Sequence, residues 1–169
     1  MARRRSAGLL LYRRTERGWE VLLAHPGGPF WAGRDAGAWM LPKGEIDPDE
    51  DPLAAALREF EEEIGAPPRP AAGAQPQPLG EIRQSGGKRV LIWALEGEPD
   101  AARGHAPART RLEWPRGSGR TIEFPEVDRW AWFPFEEAWR RILPSQRPAL
   151  ERLAERLGER PPPADSTGR

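Results

Sequence analysis

Gly44-Glu45-Ile46-Asp47-Pro48-Asp49-Glu50, a gap of seven residues, then Arg58-Glu59-Phe60-Glu61-Glu62-Glu63-Ile64-Gly65 is the stretch on which the reading of this 169-residue chain turns. Across the gap, Asp51 suits a helix N-cap and Pro52 the first helical position, where a missing N–H costs nothing. Leu53, Leu57, Phe60 and Ile64 recur at helical spacing and make one apolar stripe. Gly65 is a stop signal, and Pro67-Pro68 forbid continuation. At about 100° per residue, Glu62 and Glu63 fall about 60° to one side of Glu59 and about 40° to the other. The three carboxylates share an arc away from the centre of the stripe. Ala55, one turn earlier on that arc, is expected to leave room for an approaching group, and the loop before the helix can bring Glu50 near the cluster.

Taken alone, a glutamate-rich helix face is most often solvated. Carboxylates at i, i+3 and i+4 repel one another by a few tenths of a kcal/mol per pair, and partial burial would force one of them to hold a proton. A hard divalent cation removes the conflict, because Mg²⁺ takes oxygen ligands and shares its shell with water and substrate phosphates. Beside a carboxylate base, such an ion suits cleavage of a phosphoanhydride. Three other positions favour that reading. Gly44 can offer its carbonyl with no side chain in the way, Arg58 can hold carboxylates by forked hydrogen bonds, and Gly65 ends the helix directly after the last glutamate.

The pattern G-x5-E-x7-R-E-U-x-E-E-x-G-U, with U a bulky apolar residue, resembles the Nudix box. It is met by Gly44, Glu50, Arg58, Glu59, Phe60, Glu62, Glu63 and Gly65, and departs from it at Ala66, a smaller residue than usual. The resemblance implies an α/β/α sandwich with a mixed β-sheet. It also implies hydrolysis of a nucleoside diphosphate linked to another moiety, with Mg²⁺ or Mn²⁺ at the box. By matching position, Gly44 (carbonyl), Glu59, Glu62 and Glu63 are the expected metal site. Glu50 would be an accessory ligand or an orienting carboxylate, and Arg58 the organiser of the helix carboxylates. Two further readings fail on residues: the isomerases that share this fold need a catalytic cysteine, and a non-catalytic Nudix module would have lost box carboxylates.

The rest of the chain is compatible with one such domain over residues 1–157. Residues 7–13 and 19–24 read as strands joined at 14–18, and 26–38 is too rich in Gly and Pro for a regular element. Trp39–Leu41 reads as a short strand, and 66–78 as a low-complexity surface loop. Residues 80–85 and 88–95 read as strands joined at Gly86-Gly87, and 96–108 as irregular. Residues 109–114 and 127–133 read as further strands. Helical spacing places Phe135, Ala138, Trp139 and Ile142 on one helix, and Leu150, Leu153, Ala154 and Leu157 on another. Residues 158–169, with three consecutive prolines, are expected to form a frayed tail.

Composition sets outer bounds. Cations and anions balance at 26 each, for a net charge of zero, and 24 of the cations are arginine. That excludes a simple polycationic nucleic-acid binder. The absence of cysteine excludes disulfides, thiolate metal sites and a cysteine nucleophile. No segment approaches the ~20 apolar residues of a membrane span. The basic start, Met1–Arg5, precedes an apolar run shorter than a signal peptide's, so the expectation is a soluble, cytoplasmic protein with no membrane partner.

The loops around the box set the substrate. Trp39-Met40-Leu41-Pro42-Lys43-Gly44 resembles the lead-in of the diadenosine polyphosphate hydrolase branch, where a lysine would hold a polyphosphate oxygen. Dinucleoside polyphosphates are therefore favoured, with nucleoside triphosphate hydrolysis of the pool-sanitising type as the alternative. RNA is not expected as a partner, since no basic stripe with interleaved aromatics is evident. The general base stays open between Glu126, which stands about six residues before a strand-ending aromatic as in several family members, Glu123, and a box glutamate. Trp39, Trp130 and Trp132 are expected to pack on the core. Arg34, Lys88 and Arg120 are possible phosphate contacts that nothing singles out, and His25 and His105 have no assigned role. The family is often dimeric, so a homodimer is a further expectation from the resemblance.

Overall fold

The computed structural model describes residues 5–159. Its centre is the run Ala7–Leu11, buried at every position. Such continuity marks a strand covered on both faces. That strand, β1 (Arg5–Thr15), turns at Glu16-Arg17 into β2 (Gly18–Pro26), with Tyr12 opposite Val21. The remaining strands are β3 (Lys43–Glu45), β4 (Pro68–Pro70), β5 (Gln77–Arg83), β6 (Arg89–Pro99), β7 (Arg109–Glu113), β8 (Thr121–Pro125) and β9 (Val127–Pro134). Three helices join them: α1 (Pro52–Ile64), α2 (Phe135–Arg141) and α3 (Arg147–Arg156).

Seven strands form one sheet in the order β4-β6-β1-β2-β9, with β3 added to β1 and β5 to β6. The β1–β6 pair is parallel and the others are antiparallel, so the sheet is mixed. Side-chain alternation divides the core in two. Leu10, Val21 and Leu23 point to one face with Trp139, Leu150 and Leu153 of α2 and α3. Leu9, Leu11, Leu22 and Ala24 point to the other with Phe60 and Ile64 of α1. This is the α/β/α sandwich expected from the sequence. β7 and β8 form a separate two-stranded sheet.

Several local expectations need correction. Trp39-Met40 makes only isolated bridges, to Ile142 and Ala24, and the strand lies four residues later at Lys43–Glu45. The 66–78 stretch is not wholly a surface loop. Ala66 is buried, Pro68–Pro70 pairs with the end of β6, and β5 begins at Gln77. Proline is tolerated in β4 because it is an edge strand. Residues 96–99 extend β6, and β8 was not anticipated.

Leu53 and Leu57 are only partly buried, whereas Ala55 and Ala56 are fully buried. Ala55 packs in a cluster with Ala7, so the space expected beside it is occupied by β1. Trp39 is a core residue, but Trp130 is 39% exposed. Trp132 sits against the α1-side core with the Arg13 guanidinium over its ring at 4.2 Å. Most of the tail expected over 158–169, and the first four residues, lie outside the described residues. Among the described residues, no helix is long and apolar enough to cross a membrane.

Candidate active site

The helix that carries the carboxylates starts and stops as its sequence dictates. The Asp51 side chain accepts from the Ala54 N–H at 3.1 Å, and Pro52 follows it. Gly65 takes the left-handed conformation at φ 85° and donates to the Glu61 carbonyl at 2.9 Å. The segment after β6 then satisfies the helix end, since His105 N–H donates to Gly65 O and Ala108 N–H to Glu62 O, both at 2.7 Å. This pins the C-terminal turn of α1 against the chain that leads into β7.

On its other side α1 meets β3, where Gly44 pairs with Ala7. A Cβ at Gly44 would lie 2.0 Å from the Glu59 carboxyl carbon. Only glycine lets the backbone come so close to that carboxylate. One residue back, the Lys43 N–H donates to Glu63 Oε2 at 3.3 Å. Gly44, Glu59 and Glu63 thus meet at one end of the sheet.

Arg58 organises the remaining carboxylates. Its Nε and one terminal nitrogen grip both oxygens of Glu50 at 2.8 and 2.9 Å. The other terminal nitrogen donates to Glu59 at 2.9 Å and to Glu62 at 3.2 Å. A further bond reaches the Glu45 carbonyl at 3.0 Å, tying the helix to β3. Glu50 thus has both oxygens engaged by Arg58. Those bonds, with the Asp47 N–H, hold it down at about 2. Among the described residues, no three carboxylate or imidazole groups close on one point as a ready cation cage.

Glu59 and Glu63 behave in the opposite way. Burial pushes the Glu63 carboxyl up to about 8, reinforced by the charge of Glu59. Glu59 is also raised, chiefly by burial, despite its bond to Arg58. Glu126 adds to the rise of both, so its charge is within electrostatic reach of the pair. Its backbone is fixed by a bond from Gly27 N–H to its carbonyl at 2.9 Å and one from its own N–H to Ala108 O at 3.0 Å. Glu123 instead pairs with Arg109 at 2.9 Å on the β7–β8 hairpin. Glu62, 44% exposed, lies toward solvent on the same helix.

The residues present fit a hard divalent cation on two observations. Burial raises two neighbouring carboxyls, Glu59 and Glu63, each reinforced by other carboxylate charges, and the absence of a side chain at Gly44 lets its backbone adjoin Glu59. The Lys43 ammonium is lowered by burial, with Glu63 opposing and the Lys88 charge assisting that fall. Lys88 therefore stands near Lys43, a proximity the sequence could not show because α1, β4 and β5 intervene. His25, left without a role in the sequence, is fully buried. Its Nε2 donates to the Arg34 carbonyl at 2.6 Å, and its Nδ1 lies 3.0 Å from Asp128. It clamps the 26–38 loop to β9. A buried-capable histidine ending an apolar strand was the available signal.

A family model described as "NUDIX domain" matches residues 2–155. The RNA pyrophosphohydrolase of Acidiphilium cryptum is 35% identical over 128 residues, 69% of each chain. That of Rhodospirillum rubrum is 30% identical over 129 residues, 71% of each. These names stand against the expectation that RNA is not a partner. Among solved structures, an Ap4A hydrolase of C. elegans in a binary complex superposes with a TM-score of 0.58 at 22% identity, over 90% of this chain and 97% of the other. The NUDIX domain of Shewanella oneidensis NrtR complexed with ADP ribose gives 0.60 at 18% identity, over 93% and 90%. At those identities the likeness concerns the fold.

Proposed function

The chain belongs to the NUDIX family, and on that premise we propose that it is a divalent-metal-dependent pyrophosphohydrolase of nucleoside polyphosphates. That it is a Nudix hydrolase acting on phosphoanhydride bonds accords with the names its relatives carry. The observation that carries the metal dependence is the adjacent pair Glu59 and Glu63, both raised, against the backbone of Gly44. Mg²⁺ or Mn²⁺ would be held by the Gly44 carbonyl, Glu59, Glu62 and Glu63, with Glu50 an accessory. When bound, the ion polarises a phosphoryl oxygen and makes water a stronger nucleophile.

The protein's own groups divide the remaining work. Water adds to one phosphorus of the linkage, the bridging P–O bond breaks, and the departing phosphate carries that oxygen away. Glu126 takes the proton of the attacking water, its charge lying near Glu59 and Glu63. Lys43 holds a polyphosphate oxygen as a donor and counter-charge. Arg58 fixes Glu59 and Glu62 so that their oxygens need no reorganisation.

For substrate, the Pro42-Lys43-Gly44 lead-in supports dinucleoside polyphosphates. A second reading, 5′-triphosphorylated RNA ends, is supported by the relatives named above. A product assay separates these. ATP released from diadenosine tetraphosphate supports the first, and pyrophosphate released from triphosphorylated RNA the second. Pyrophosphate from free nucleoside triphosphates would instead point to pool sanitising. Activity of equal size in EDTA and in Mg²⁺ would refute the metal dependence.

A further inference from the structure

The 26–38 loop, too irregular to be assigned from sequence, leans on the β7–β8 hairpin and encloses a recess of about 260 Å³. Phe30, Trp31, Leu112 and Phe124 line it, and Thr110 and Glu126 bring polar atoms to it. The approach of loop to hairpin depends on glycine. A Cβ at Gly27 would lie 2.0 Å from the Pro125 carbonyl oxygen, and one at Gly28, where φ is +95°, would lie 2.7 Å from the Phe124 ring. The loop is pre-ordered by the His25 clamp and by the paired bonds between Ala24 and Met40.

Apolar side chains are nonetheless left open here. Phe30 is 53% exposed and Leu112 40%. Phe30 meets Trp31 edge to face at 5.1 Å, and the Arg34 guanidinium lies over the Phe30 ring at 4.3 Å. Aromatic rings with an arginine plane beside them form a stacking platform for a π-faced ligand. The recess falls just below the ~300–1,000 Å³ of ordinary small-molecule clefts, a size for one flat ring system. It shares Glu126 with the carboxylate cluster, so a ligand seated in it would trail its phosphates toward Glu59 and Glu63.

We propose that this recess is the nucleobase subsite, with Phe30 stacking one base of the nucleoside polyphosphate and Trp31, whose ring stands at 86° to it, bounding that base from the side. The proposal rests on the function proposed above but is tested by binding, not turnover. Calorimetric titration of the Mg²⁺-loaded protein compares AMP with ribose 5-phosphate, which carries the same phosphate and no base. AMP is expected to bind at least about tenfold more tightly, in keeping with the contribution of base–aromatic stacking. Phe30→Ala, at an exposed position whose loss should leave thermal unfolding unchanged, and Trp31→Leu should each remove most of that preference. Equal binding of AMP and ribose 5-phosphate, or an AMP preference that survives in Phe30→Ala, would overturn the proposal. A protein that binds AMP through these residues yet hydrolyses no nucleotide would refute the proposed function while upholding the subsite.

Discussion

Replacing Glu63 by glutamine in the metal-free protein removes the titratable proton from the Glu59–Glu63 pair. It keeps an oxygen for the Lys43 N–H, which donates to Glu63 at 3.3 Å. The Glu63 carboxyl sits at about 8, raised by burial and then by Glu59. Below the ordinary carboxylate range the group is protonated folded or unfolded, and its stability contribution is fully present. As pH rises toward 8 the unfolded chain ionises freely while the folded one must retain the proton, so wild-type stability falls across that window. Glutamine has no proton to retain. Each tenfold change in proton affinity corresponds to about 1.4 kcal/mol, which sets a ceiling on the order of 4 kcal/mol at pH 8. Local relaxation and water entry reduce this to about 2–3 kcal/mol.

Thermal unfolding in EDTA between pH 5 and pH 8 measures the difference. At ~2–4 °C per kcal/mol for a chain of this size, Glu63→Gln should unfold with wild type at pH 5 and roughly 5–10 °C above it at pH 8. Saturating Mg²⁺ should close the gap at pH 8 by raising the wild type alone. Parallel unfolding of the two proteins throughout that pH range would refute the burial argument for this pair.

Arg58→Lys should lower kcat at least ~100-fold and should not rescue Arg58→Ala, because an ammonium cannot make the fork that spans Glu50, Glu59 and Glu62; steady-state kinetics on both variants checks this. Gly44→Ala should displace the Glu59 carboxylate, whose carbon lies 2.0 Å from the added methyl position, and abolish Mg²⁺-dependent activity while circular dichroism keeps its native form. Glu126→Gln should slow turnover with metal affinity nearly unchanged, read by single-turnover kinetics beside calorimetric Mg²⁺ titration; lost metal binding would make Glu126 a ligand.

What the sequence revealed is what short-range physics decides. Asp51, Pro52 and Gly65 bound α1 through groups within four residues of each other, so its limits were readable. The leucine run of β1 was readable as a strand, whereas its burial on both faces is seen in the structure. Ala55 was misread because its neighbour, Ala7, comes from a strand far away in the chain, and a small side chain marks either open space or close packing. β8 escaped notice because Thr121–Pro125 pairs only with β7 and buries little, so its alternation carries a faint signal. His25 gained its role from Arg34 and Asp128, which tertiary folding alone brings to its ring. The box residues were legible as a set. That Arg58 takes both oxygens of Glu50, leaving Glu59 and Glu63 as the raised pair, needed coordinates.

Binding of Mn²⁺ followed by electron paramagnetic resonance, on wild type, Glu59→Gln and Glu63→Gln, shows whether these two carboxylates hold the ion. Stoichiometric uptake by the wild type at micromolar to millimolar ion is expected, with a loss of at least about tenfold in affinity in each variant. Equal Mn²⁺ affinity in all three proteins would contradict that role.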